Sequence, residues 1–153
     1  MDRRLACRGI VFADDKLLCV QQKHDLNFSD PWPQDVWCLP GGKTELGEDL
    51  ISCVKREIIE ELGVKPQIGR LLYIQQFKIN DQLESLEFFF HITNHQDFKN
   101  INLVSTSHGL QEIAKVDFID PKSHQILPNF LMSEDIGSLI SSNKPVKIFN
   151  YLN

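Results

Sequence analysis

Residues 42–64 read G-K-T-E-L-G-E-D-L-I-S-C-V-K-R-E-I-I-E-E-L-G-V. Asp49 to Leu62 has the pattern of a helix, with Gly63 as its expected stop and Pro66 shortly beyond. At about 100° per residue, Leu50, Ile51, Val54, Ile58 and Leu62 form an apolar arc of roughly 120°. Glu57, Glu60 and Glu61 cluster on one flank, and Glu61 projects between Leu50 and Val54, inside that arc. A helix built only to pack has no use for a carboxylate there, because burying an unpaired charge is costly unless a cation or hydrogen bonds compensate. Glu57 also makes like-charge pairs with Glu60 and Glu61, each costing an isolated helix about 0.2–0.5 kcal/mol. All three glutamates lie near the helix C-terminus, where the macrodipole disfavours negative charge. Local rules broken together at one place mark a functional site, and a divalent cation would relieve every one of these penalties.

The neighbours strengthen that expectation. A bare Glu57-x-x-Glu60-Glu61 run would more often be a solvated acidic face. Here Arg56 stands beside the carboxylates and can orient Glu48 or another of them through a bidentate pair. Pro40-Gly41-Gly42 precedes the helix by a short loop, and glycine lets a backbone approach a metal or phosphate closely. Mg²⁺ takes oxygen ligands and keeps several waters. The stretch has no His or Cys at metal-ligand spacing, which argues against structural zinc.

These residues resemble the Nudix box, G-x5-E-x7-R-E-U-x-E-E-x-G-U with U aliphatic. Gly42, Glu48, Arg56, Glu57, Ile58, Glu60, Glu61, Gly63 and Val64 match it without a departure. At average residue frequencies, a chance match at a given start has a probability on the order of one in a billion. The resemblance implies an α/β fold: an α/β/α sandwich with a mixed β-sheet and the catalytic helix packed on it. It implies hydrolysis of a nucleoside diphosphate derivative by an Mg²⁺-dependent (or Mn²⁺-dependent) pyrophosphohydrolase. It assigns metal ligation to Glu57, Glu60, Glu61 and the carbonyl of Gly41, and an orienting pair to Arg56 and Glu48. Glu60 or Glu61 would act as base. A further acidic residue outside the box often joins such sites, and Glu112, just before a strand candidate, is the one expected here. A homodimer is a further expectation of the resemblance.

Working outward, 153 residues suit one domain, spanning 1–153, large enough to bury a substantial core. The formal charge of −5 argues against broad nucleic-acid binding, which needs many Lys and Arg. No apolar run approaches the roughly 20 residues that cross a bilayer, so no membrane association is expected. The N-terminal residues lack a signal-peptide pattern. Cys7, Cys19, Cys38 and Cys53 form no C-x-x-C pair. A reduced, cytoplasmic protein is the expectation.

Leu5–Phe12 and Leu17–Gln21 have the pattern of a hairpin turning at Asp14-Asp15, and Lys23 to Asp35 that of a loop. Val36–Leu39, Leu71–Ile79, Leu86–Thr93 and Ile113–Ile119 are strand candidates, Asn129–Ile140 a second helix, and Val146–Leu152 a short last strand or a tail. Hairpins before and after the main helix favour a mixed sheet over a doubly wound parallel one.

Substrate preference lies outside the box. The chain has Lys78 and Ile79 where ADP-ribose-type members tend to carry a proline, and Asn80 and Asp81 where dinucleoside polyphosphate members tend to carry a tyrosine. Elimination leaves a MutT-like enzyme acting on a nucleoside triphosphate, oxidised or not, or on a nucleotide sugar. Phe28 and Trp32 are candidates for stacking on a base, and Arg8, Lys23 and Lys43 for meeting phosphate oxygens. Two alternatives stand beside hydrolysis: a non-hydrolytic nucleotide-sensing module, disfavoured by the intact box, and isoprenoid diphosphate isomerisation, for which Cys38 is the only positioned thiol.

Overall fold

The computed structural model describes residues 1–23 and 36–153. Their order is β1 (Asp2–Ile10), β2 (Phe12–Ala13), β3 (Lys16–Gln22), β4 (Trp37–Cys38), β5 (Gly41–Lys43), α1 (Leu50–Leu62), β6 (Ile68–Asn80), β7 (Leu83–Ile92), α2 (Gly109–Glu112), β8 (Ile113–Ile119), β9 (Ile126–Leu127), α3 (Ile136–Ser141) and β10 (Lys147–Tyr151). One sheet runs β10-β6-β7-β1-β5; the other runs β2-β3-β4-β9, with β8 also on β3. In the first, β6 and β7 are antiparallel, while β1 lies parallel to β7 and β10 parallel to β6. The expected mixed sheet is present.

Strand alternation sorts the apolar residues into two cores. Cys7, Leu18, Val20, Phe90 and Ile92 face α1 and pack on Cys53, Val54, Ile58 and Leu62. Ile10, Leu17, Cys19, Leu72, Tyr73 and Phe89 face the other way and pack on Phe130, Leu131, Ile136 and Leu139. Successive side chains on a strand point to opposite faces, so both faces are covered and the layers are helix, sheet and helix. All four cysteines are buried and unbridged. Cys53 Sγ lies 3.6 Å from the Gly42 carbonyl, and Cys38 Sγ lies 3.5 Å from that of Val20.

α1 begins where Asp49 caps it, its side chain accepting from Ser52 N at 2.8 Å, and ends at Gly63 with φ of 72°. Of the apolar arc, Val54, Ile58 and Leu62 are buried, Leu50 is partly buried, and Ile51 is 47% exposed on its edge. The expected first hairpin is shorter than its pattern suggested. β1 pairs with β5 and β7; the chain changes sheets at Val11, and only β2 pairs back on β3. Asp14 and Asp15 form that turn at φ of 52° and 60°, which Asp tolerates. The expected helix over Asn129–Ile140 is two pieces, a 3-10 turn at Asn129–Met132 and α3. Ser133 N and Glu134 N close the first turn on the Phe130 carbonyl, and Asp135 restarts the chain by capping Ser138 N at 3.1 Å. Within the expected Val146–Leu152 segment, Lys147–Tyr151 is a strand, β10.

Candidate functional site

The box glutamates lie where α1 faces β5. Arg56 is the hub. Its Nε donates to Glu48 Oε2 at 2.7 Å and its Nη2 to Glu48 Oε1 at 2.9 Å, a bidentate pair that also reaches the Lys43 carbonyl at 3.0 Å. Nη1 donates to Glu57 Oε1 at 2.9 Å and Glu60 Oε2 at 3.2 Å. One guanidinium nitrogen thus bridges two carboxylates that, on this helix, would share a cation. Among the described residues no three His, Cys, Asp or Glu side chains converge to hold an ion as they stand.

Glu61 is 5% exposed, inside the apolar arc as its position dictated. Its Oε2 accepts from Gly41 N at 3.3 Å. Burial first, then the charge of Glu57, push its pKa up to about 8, against the pull of Arg8 and the Gly41 amide; Glu112 adds to the rise. Glu57 is also raised, by burial before all else, with Glu60 and Glu112 contributing. Glu48 goes the other way, to about 2, chiefly because Arg56 bonds its charged form. Glu112 itself is exposed and sits at the end of α2.

Two glycines make the cradle. Gly41 has φ of +144°, and a Cβ there would meet the Cys7 carbonyl at 2.1 Å. A Cβ on Gly42 would stand 2.6 Å from the Glu57 carboxyl carbon. The space beside Glu57 exists because residue 42 has no side chain. Carboxylates, a loop carbonyl and a buried glutamate short of counter-charge make an all-oxygen set that suits a hard divalent cation.

Beyond β5 a cleft of about 710 Å³ opens over the first sheet, lined among others by Arg4, Arg8, Gly41, Lys43, Gln75 and Glu87. Glu87 is buried yet satisfied. Arg4 Nη2 donates to it at 3.2 Å and Gln75 Nε2 at 3.1 Å, with Arg8 Nε 3.8 Å away. Arg8 also donates to the carbonyls of Leu39 at 3.3 Å and Gly41 at 3.4 Å, tying the cleft floor to the glycine loop. Burial opposes its charge, but Glu87, with Glu61 and Glu57, outweighs that and raises its pKa.

The NUDIX domain profile matches residues 2–135. The chain belongs to the NUDIX family. An ADP-ribose pyrophosphatase of Methanocaldococcus jannaschii is 37% identical over 68 residues, covering 44% of this chain and 37% of that protein. The mouse nucleoside diphosphate-linked moiety X motif 6 is 39% identical over 70 residues, covering 44% and 20%. The matched part is thus well under half the length of these relatives. Among solved structures, the Escherichia coli ORF135 protein superposes with a TM-score of 0.68 at 18% identity, covering 94% of each chain. A MutT protein from Bacillus halodurans gives 0.66 at 23% identity, covering 97% and 90%. These likenesses share the fold, an α/β NUDIX fold with the box helix on a mixed sheet.

On this NUDIX frame the box residues come together, and Arg8 and Lys43 line the cleft beside them. Lys23 does not; its amine bonds the Leu110 carbonyl and its backbone N donates to the Glu112 carbonyl at 2.8 Å, so it braces the segment that carries Glu112. Phe28, Trp32 and most of the loop to Asp35 lie outside the described residues. Cys38 is on the cleft wall, its thiol pushed up to about 11 by burial. Sequence reasoning missed Arg4, Gln75 and Glu87. The signal was there: Arg4 and Arg8 share a strand face, and Glu87 interrupts the apolar run of β7. It also passed over His108, whose Nδ1 is 3.5 Å from Glu60 Oε2.

Proposed function

We propose that this chain hydrolyses a diphosphate linkage in a nucleoside diphosphate derivative, a nucleoside triphosphate or a nucleotide sugar. Glu57, Glu60, Glu61 and the Gly41 carbonyl would hold Mg²⁺ or Mn²⁺, with Glu112 approaching from α2. The observation that carries the assignment is Glu61: a buried carboxylate, raised to about 8, beside a glycine cradle at the end of a cleft sized for a nucleotide.

When bound, the cation neutralises diphosphate oxygens and lowers the pKa of a water. The protein's own groups do the rest. Glu60 or Glu61 takes the proton of the attacking water. Glu48 fixes Arg56, so the guanidinium holds the carboxylates in register. Arg8 and Lys43 meet the phosphate charge from the cleft side. Gly41 and Gly42 let the anhydride approach the backbone.

The test is a hydrolysis screen with Mg²⁺ and with Mn²⁺ across nucleoside triphosphates, oxidised nucleotides, nucleotide sugars, ADP-ribose and dinucleoside polyphosphates, run in oxygen-18 water to locate the attacked phosphorus. The expected result is metal-dependent release of a mononucleotide from one of the first three classes. Turnover confined to ADP-ribose would move the substrate assignment. No product from any class, with ligand-induced melting shifts, would replace hydrolysis by sensing.

A further inference from the structure

We propose that Tyr151, with Phe77 beside it, is the platform on which the substrate's base stacks, an inference that rests on the nucleotide assignment above. Tyr151 lies on β10, beyond the residues 2–135 that the family profile matches. β10 nonetheless completes the first sheet and pairs in register with β6, Tyr151 opposite Phe77. Residues paired this way on neighbouring strands share a face, and both side chains line the cleft.

The ring is held in place. Phe130, 5% exposed in the second core, stacks on Phe149 with centroids 4.2 Å apart and planes 7° off parallel. Phe149 in turn stacks on Tyr151 at 6.3 Å and 10°. The aromatic ladder is rooted in the core and ends in a ring 51% exposed. Packing alone does not require that last ring, and its orientation is fixed before anything binds, which lowers the entropy lost on association.

The cleft is therefore graded. The glycine loop is on β5 and Tyr151 on β10, at opposite edges of the sheet. Four strand spacings of about 4.8 Å separate them, roughly 19 Å along the sheet. Near β5 the lining is cationic, with Arg8 and Lys43; near β10 it is aromatic, with Phe77 and Tyr151. Between them Arg4, Gln75 and Glu87 present donors and an acceptor. An occupant that suits all three parts has a diphosphate at one end and a flat, polar-edged ring at the other. A nucleobase fits that description, whereas an aliphatic diphosphate has no face for the two rings to meet.

The test measures binding of AMP, GMP, CMP and UMP, and of ribose 5-phosphate as a base-free probe, by calorimetry without metal. Wild type should bind at least one nucleotide more tightly than ribose 5-phosphate. Tyr151→Ala and Phe77→Ala should each weaken that nucleotide about tenfold, the size of a lost base–aromatic stack, and leave ribose 5-phosphate unchanged. Tyr151→Phe should bind as wild type, which also controls for folding of the edge strand. On any nucleotide that the screen shows to be hydrolysed, Tyr151→Ala should raise KM about tenfold and leave kcat within about twofold. Equal nucleotide binding by wild type and Tyr151→Ala, equal losses with and without a base, or no preference for nucleotides over ribose 5-phosphate would overturn the platform. Stacking without hydrolysis would sink the enzymatic assignment and leave the platform standing.

Discussion

Two buried glutamates, Glu61 on α1 and Glu87 on β7, differ in what surrounds them. Both are about 95% shielded from solvent, at 5% and 4% exposure. Glu87 is met by two arginines, a glutamine amide and the Ser85 hydroxyl. Glu61 receives one backbone N–H, from Gly41, and is pressed by the charge of Glu57. Burial with partners belongs to architecture and recognition; burial with one amide for a partner is what the proposed cation site would use. Removing the charge at one position should therefore act on turnover, and removing the side chain at the other on stability.

Glu61→Gln gives the largest expected effect. Turnover should fall about 10²- to 10⁴-fold at saturating Mg²⁺, with an unchanged circular dichroism spectrum. Turnover within a few-fold of wild type would remove Glu61 from the chemistry. Glu87→Ala should act on stability instead, leaving Arg4 and Arg8 without their carboxylate and costing about 3 kcal/mol in urea titrations. If it melts like wild type, the contrast between the two glutamates is wrong.

Proton linkage sharpens the contrast further. Glu61's folded value of about 8 lies above the ordinary 4.5. Between those limits the folded, metal-free protein keeps a proton that the unfolded chain gives up, so its stability falls as pH rises through this window. The fall should be about 2–4 kcal/mol, deepened by Glu57, which is shifted the same way. Glu61→Gln should flatten it, and millimolar Mg²⁺ should restore stability at the alkaline end. Glu48, held at about 2 by Arg56, contributes with the opposite sign: its stabilisation is present above 4.5 and is lost as pH falls toward 2. Denaturant midpoints at several pH values, with and without metal, separate the two. The smallest effect is at the cradle. Gly42→Ala puts a methyl 2.6 Å from the Glu57 carboxyl carbon and should weaken Mg²⁺ binding about tenfold, read by metal titration.

The contrast also shows where sequence was sufficient. Glu61 was legible because helical periodicity is strict: one carboxylate among Leu50, Val54 and Ile58 breaks a local rule without needing any tertiary information. The pairing of Arg56 with Glu48 was left open by the local pattern and came from the family resemblance; the bidentate contact is present. Glu87 was not legible in this way. Its justification comes from Arg4 and Arg8, more than 75 residues earlier, which only the parallel pairing of β1 with β7 brings alongside. Tyr151 was hidden for a similar reason, since Val146–Leu152 could equally have been a tail until β6 gave it a partner. The hairpin became a sheet change at Val11 because β1 found its partners in β5 and β7, whereas the helix split for a local reason, the Asp135 cap on Ser138 N.

The three fully shielded thiols, Cys7, Cys19 and Cys53, have a practical consequence. Cys7 and Cys53 lie in the core under α1, Cys53 against the Gly42 carbonyl, while Cys19 belongs to the opposite core. Each can meet a maleimide only when its own layer opens, so pulsed labelling followed by peptide mapping would time the opening of the cradle separately from that of the far core. If ligation of a cation tightens the α1 side alone, Cys7 and Cys53 will slow on adding Mg²⁺ while Cys19 keeps its rate. The molecule carries its own stopwatch on each side of the sheet.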